Sequence, residues 1–500
     1  MEWTLVEKWV GAGKLPAFRR LIEGGAHARL ASTASSLPDT VWASIYTGSN
    51  PAKLEKFFYV QYEASTLGLR NLSDDVVKRA PFWQHLNAAG LRTGIVDVPK
   101  WGVSGSLTGF QIANWGAHAT KTARTSHPRE LLAQVDARFG RHPVGDCDNL
   151  DGKPESLHRL RRRVVEGVHA HGELFRAMMR EQKWDMMFTA FSGPHCIGHH
   201  FWSGVHGTDG REGNDRSAII EGAIEEVYRA IDREVGEMLS LVDNETRVMA
   251  IAGHGMGPIF HASWNLPQIL ELWGYGRSAA RRVDETDAPR DAQVNPWRIL
   301  KMLVPGPVQY FIKGMLPQFL QDQLLFRWYR GGRKWDGCRA FAIPNNDSVG
   351  AIRISVKGRD RHGMVDPGEE YQRVCRDIVT ALCELTDGKA GRPLVKRVTL
   401  AHEEFHGPFL EQLPDITVLW DQSFAWRTVC SPRFGTLRIR QQDSRTGSHT
   451  AHGFVLAMGP GVPAACTLPD GSIYDIAPTV LQGAGLSVPA DFDGQPLRFG

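Results

Sequence analysis

The stretch from 186 to 253 limits the fold more than any other part of the chain. MMFTAFS (186–192) and TRVMAIAG (246–253) are short apolar runs that read as buried strands. Between them Ile220, Ile224, Val227, Ile231, Val235 and Leu239 recur at helical spacing, so a helix is predicted over Ser217 to Leu241. Strand, long amphipathic helix and strand imply a parallel crossover, which places helices on the faces of a sheet. HARLAST (27–33), RTGIVDVP (92–99), DITVLW (415–420) and GFVLAMG (453–459) add strands; VWASIYTG (41–48) and a closing segment from Asp475 add helices. The expected fold class is α/β.

The opening departs from this alternation. MEWTLVEKWVGAGKLPAFRRLIEGGA carries Leu5, Val6, Trp9 and Val10, then Leu15, Phe18, Leu21 and Ile22, at helical spacing, with no strand before them. A parallel sheet lacking a central strand would bury unpaired backbone groups, so the expectation is that the start is an internal Met and a first strand is missing. No charged start followed by an apolar stretch and a cleavage site is present, and the expected location is cytoplasmic.

At 500 residues the chain has room for one large domain with an insertion, or for two domains. A net charge of +3 gives no reason to expect nucleic acid as a partner. Seven cysteines without a CxxC pair fit reduced thiols and no zinc ribbon. Between about Tyr275 and Asp336 aromatic residues are frequent, but Pro305, Pro307, Gly314 and Pro317 and interspersed basic residues interrupt every apolar run. No transmembrane segment of about 20 apolar residues can form there. The expected division is a core of 1–274 and 395–500, a helical cap at 275–335, and a small α+β subdomain at 336–394 that includes VGAIRISV.

Four histidines sit where strand-like runs meet glycine-rich turns: His195 and His199 in SGPHCIGHHFW, His254 in AIAGHGMGP and His449 in RTGSHTAHGF. Open α/β sheets gather ligands at strand ends, and imidazole is the commonest metal ligand, so a zinc-type divalent ion is the expected cofactor. His200 stands beside His199 and His452 beside His449, and either neighbour could be the ligand instead. There is no G-x-x-x-x-G-K-[ST] loop and no G-x-S-x-G elbow.

In order and spacing, KLPAFRRLIEGGA, LPDTVWASIYTGSNPAK, HCIGHHFW, AGHGMGP, WDGCRAFAIP to GAIRISVKGRD, GSHTAHGFVLAMGPG and DIAPTVLQGAGLSVPADFDGQPL resemble the type I phosphodiesterase/nucleotide pyrophosphatase branch of the alkaline phosphatase superfamily. The resemblance implies an alkaline-phosphatase-like three-layer α/β/α sandwich around a mostly parallel sheet. It also implies hydrolysis of a small-molecule phosphate ester, with two metal ions flanking a Ser or Thr nucleophile at a helix N-terminus. Thr40 matches that nucleophile, with Ser36 as the competitor and a simple N-cap as the structural alternative. Where relatives carry Asp and then His four residues later, this chain has His195 and His199, and His449 matches the distal histidine of the same ion. Where relatives read Ser-Asp-His-Gly-Met, this chain has Ala252-Gly253-His254-Gly255-Met256 and so lacks a carboxylate for the second ion. One or two ions are therefore expected, and the alternative to an enzyme is a catalytically impaired protein that binds a phosphorylated or nucleotide ligand.

Overall fold

The computed structural model describes residues 1–499 except 74–75, 106, 117–122, 146, 148–149, 151, 206–213, 277–316, 331–332 and 440–443. Its strands, in chain order, are β1 (Ala26–Ala31), β2 (Thr93–Val96), β3 (Gly109–Ala113), β4 (Thr125–His127), β5 (Met186–Thr189), β6 (Val248–Ala252), β7 (Gly255–Pro258), β8 (Ala340–Ala342), β9 (Val349–Ile354), β10 (Val395–Leu400), β11 (Ile416–Trp420), β12 (Gly447–Thr450) and β13 (His452–Met458), beside shorter pieces. The helices used below are α1 (Trp3–Gly11), α2 (Pro16–Glu23), α3 (Val41–Thr47), α4 (Pro154–Glu181), α5 (Gly193–Phe201), α6 (Ala223–Leu239), α7 (Gln318–Arg330) and α8 (Ile476–Gly483).

The central strands form two sheets. In one, β13 lies antiparallel between β1 and β6. In the other, β2 runs parallel to both β3 and β5, and β4 closes the far edge antiparallel to β3. Phe188 of β5 and Met249 and Ile251 of β6 pack into one apolar cluster with Ile45 and Tyr46 of α3 and Ile476 of α8. On the opposite face Val248 and Ala250 of β6 meet Val227 and Ile231 of α6, and Met187 of β5 meets Leu174 and Phe175 of α4. Helices thus cover both faces, which gives the three layers. Each of β5 and β6 has a ladder along one edge only among the described residues, and their side chains are half-buried although helices lie above and below.

The crossover between β5 and β6 differs from the sequence expectation in one detail. The helix expected over 217–241 is split, because Gly222 adopts a left-handed conformation (φ 69°) between Asn214–Ile220 and α6. Only a residue without Cβ takes that conformation at little cost. Asp232, buried on α6, accepts the amide hydrogens of Ala17 and Phe18 at 3.2 and 2.9 Å, where the helix dipole of α2 favours a carboxylate. The N-terminal helices are thereby fixed onto the crossover.

A further antiparallel sheet runs in the order β8, β9, β11, β10. Its ladders run across the boundary expected at 394/395: β11 pairs with β9 on one side and with β10 on the other. The apolar run of β11 looked like a core strand because it is fully buried, but it is buried in this second unit. Of the cap expected at 275–335, α7 is described, and 277–316 lie outside the described residues. Among the described residues no helix is long and apolar enough to cross a membrane.

Candidate metal and phosphoryl-transfer site

The C-terminal ends of β5 and β6 converge. From β5 the chain turns at Ser192 into α5, where His195 and His199 stand one helical turn apart on the same face. From β6 it passes through Gly253 to His254 and into β7, which pairs with β12 so that His449 lies opposite Met256. The rings come together at centroid separations of 4.4 Å (His195–His199), 5.2 Å (His195–His449), 5.1 Å (His199–His449) and 3.9 Å (His254–His449).

His195, His199 and His449 can each turn a ring nitrogen to within 4.8 Å of the other two. The Nε2 atoms of His195 and His199 are 3.2 Å apart. Two nitrogens bound at about 2.0 Å in a tetrahedral site would be separated by about 3.3 Å, so this spacing fits a shared zinc-sized ion. Nδ1 of His199 faces the carbonyl of Gly447 at 2.8 Å, a contact in which the imidazole donates and leaves Nε2 with its lone pair toward the cluster. Both ring nitrogens of buried His449 lack a hydrogen-bond partner among the described residues, as a ligand awaiting an ion would. Burial, and then the neighbouring imidazoles, hold His449 well below the usual histidine range, so it stays neutral and able to coordinate. The competing histidines are placed elsewhere: Nε2 of His200 reaches the carbonyl of Cys147 at 2.7 Å, and His452 is exposed.

His254 offers less. Burial pushes its pKa down to about 4, and its Nδ1 faces the carbonyl of Gly255 at 2.8 Å. Beside it, a Cβ on Gly253 would lie 2.6 Å from Val41 Cγ1 and 2.8 Å from Ile45 Cδ1, so α3 occupies the space that a side chain would need. The nearby carboxylates are engaged: Glu2 accepts from the amide of Met256 at 3.1 Å and the hydroxyl of Thr450 at 3.3 Å, and Asp39 is paired with Lys100. Among the described residues, no three such groups converge on this side as they do around His195, His199 and His449.

Thr40 precedes the first turn of α3 and is buried, yet its side chain makes no capping bond to that helix. Its hydroxyl is instead 2.7 Å from the carbonyl of Leu37 and 3.0 Å from Thr33 Oγ1. The turn that holds it is tied to the histidines, because Ser32 Oγ donates to the carbonyl of Gly253 at 2.6 Å and β12 packs against Thr33–Ser35. Ser36 is fully buried, with its hydroxyl turned back toward the carbonyl of Thr33 at 3.5 Å.

Two charged groups here escape a reading by motif. Glu2 lies at the N-terminus, where its backbone N–H also donates to the Tyr228 hydroxyl at 2.6 Å. Lys100 follows β2, and its charge is felt by both His254 and His449. The available signal was positional: β2, like β5 and β6, ends at the face where the histidines gather.

The family model for type I phosphodiesterase / nucleotide pyrophosphatase matches residues 1–427. No curated protein matches the chain by sequence. Among solved structures, phosphonoacetate hydrolase from Sinorhizobium meliloti 1021, in complex with phosphonoformate, is similar at 15% identity and a TM-score of 0.50, over 97% of this chain and 93% of that one. Human ectonucleotide pyrophosphatase/phosphodiesterase 5 is similar at 12% identity and a TM-score of 0.44, over 95% of this chain and 91% of that one.

Proposed function

Since the chain belongs to the type I phosphodiesterase/nucleotide pyrophosphatase family of phosphoester hydrolases, we propose that it cleaves a small-molecule phosphate ester with Thr40 as nucleophile and with one divalent cation, zinc by the character of its donors, held by His195, His199 and His449. The convergence of three imidazoles from α5 and β12, with Nε2 atoms of two of them 3.2 Å apart, carries the reading. A bound zinc ion supplies Lewis acidity that draws charge from a phosphoryl oxygen.

The remaining work falls to the chain's own groups. Thr33 and the Leu37 carbonyl fix the Thr40 hydroxyl in one orientation, so that little rotational freedom is lost when it attacks phosphorus. The Gly447 carbonyl fixes the His199 tautomer. With Glu2 engaged by the Met256 amide, His254 acts as a neutral wall of the site in this reading.

Chelator-treated protein, assayed on bis-p-nitrophenyl phosphate before and after zinc is restored, tests the reading. Turnover that returns with zinc and is absent in Thr40→Ala supports it, whereas zinc-independent turnover or an active Thr40→Ala refutes it.

A further inference from the structure

Two thiols meet on α5, the helix that carries His195 and His199. Cys196 lies between those histidines in sequence, and its Sγ is 2.9 Å from Sγ of Cys147, which precedes α4. The contact spans 49 positions of chain, and both residues are 2% exposed. A second contact fixes the register: Nε2 of His200, one helical turn beyond Cys196, faces the Cys147 carbonyl at 2.7 Å. Backbone and sulfur of Cys147 are thus both held against one face of α5. Leu160 and Val164 of α4 and Ile197 and Phe201 of α5 share the apolar cluster in which the two sulfurs are buried. A disulfide bond is about 2.05 Å long, so the sulfurs need to close by less than about 1 Å to be joined.

We propose that Cys147 and Cys196 are an oxidation site, at which hydrogen peroxide joins them in a disulfide that ties the chain ahead of α4 to α5. Peroxide transfers one oxygen to a sulfur, giving a sulfenic acid and water; the second sulfur then attacks the first and expels that oxygen as another water. Two thiols and one peroxide become one disulfide and two waters, with sulfur oxidised and peroxide reduced. Enclosure shapes the outcome in two ways. It slows the first step, because little of either residue is open to solvent. It also presents the sulfenic acid to the neighbouring thiol, already in contact, ahead of any thiol in solution. Neither the nucleophile nor the metal enters this chemistry.

The test treats the full chain with hydrogen peroxide, then denatures it, alkylates it with iodoacetamide and digests it with trypsin, and the peptides are identified by mass spectrometry with and without dithiothreitol. A peptide pair joined through Cys147 and Cys196 is expected, about 2 Da lighter than the two thiol peptides together and separated by dithiothreitol. The cross-link restricts the unfolded chain and should raise the thermal midpoint by about 2–4 °C. Reduction should cancel that rise, and Cys147→Ser and Cys196→Ser should lack it. Peroxide-treated wild type in which both cysteines still take up iodoacetamide, carry sulfinic acid, or pair with other cysteines overturns the assignment. That readout is made on wild type, so it stands whether or not the serine variants fold.

Discussion

On one flank of the histidine cluster His195, His199 and His449 bring ring nitrogens within 4.8 Å of one another; on the other, His254 lies against His449 at 3.9 Å, the rings tilted by 33°, beside Gly253, which has no side chain. Both flanks are buried and rich in imidazole, so burial and residue type do not separate them. What separates them is supporting chemistry: a carbonyl faces Nδ1 of His199, whereas Val41 and Ile45 of α3 stand where a side chain on Gly253 would go. A metal centre needs convergent lone pairs together with anions or neutral donors to offset desolvation.

The sharpest way to break this comparison is to remove the hydroxyl proposed as nucleophile. Thr40→Ala should lower turnover by at least about a thousandfold, as followed by p-nitrophenol release, while zinc content stays at the wild-type value. His199→Ala comes next: zinc should be lost, and turnover should fall by more than the about 10–100-fold that loss of a supporting hydrogen bond costs at a metal site. His254→Ala should leave zinc in place; zinc loss from this variant equal to that from His199→Ala would erase the distinction between the flanks. Gly253→Asp restores the carboxylate on paper. It should destabilise the fold by about 1–3 kcal/mol in urea melts, through overpacking against Val41 and Ile45, and gain no second ion.

A separate test uses a buried imidazole outside the trio. His171, 2% exposed, is held down to about 3 by burial and then by His142, and its Nε2 is 2.6 Å from Thr189 Oγ1. Its folded pKa lies below the unfolded value, so the unfolded state binds the extra proton between pH 6.5 and about 3. Stability should therefore fall as pH drops through that window, by up to about 1.4 kcal/mol per pH unit for the one proton. His171→Gln should flatten this slope with zinc present or absent. A slope abolished by zinc alone would assign the acid sensitivity to the trio instead.

Much of the fold was legible because the central strands are short apolar runs and the helix after α5 has a clean apolar face; β2, β5 and β6 fall inside the stretches read for them, and β13 begins one residue before its own. The split at Gly222 was not, because helical spacing persists across a single glycine. The membership of β10 and β11 in the second sheet was also hidden, since a buried strand has the same composition in either sheet. At the site, His195, His199, His254 and His449 could be picked out because each follows a strand in a glycine-rich turn. Lys100 and Asp39 could not, because a lysine and an aspartate 61 positions apart carry no motif and meet only through the path of β2 and α3.

His195, His199 and His449 are proposed to hold one ion. The most direct measurement is the zinc content of protein saturated with the metal and then freed of loosely held ions, determined by elemental mass spectrometry for wild type and His199→Ala. One zinc per wild-type chain and close to none in His199→Ala is the predicted result. Two per wild-type chain, or one that persists in His199→Ala, would contradict it.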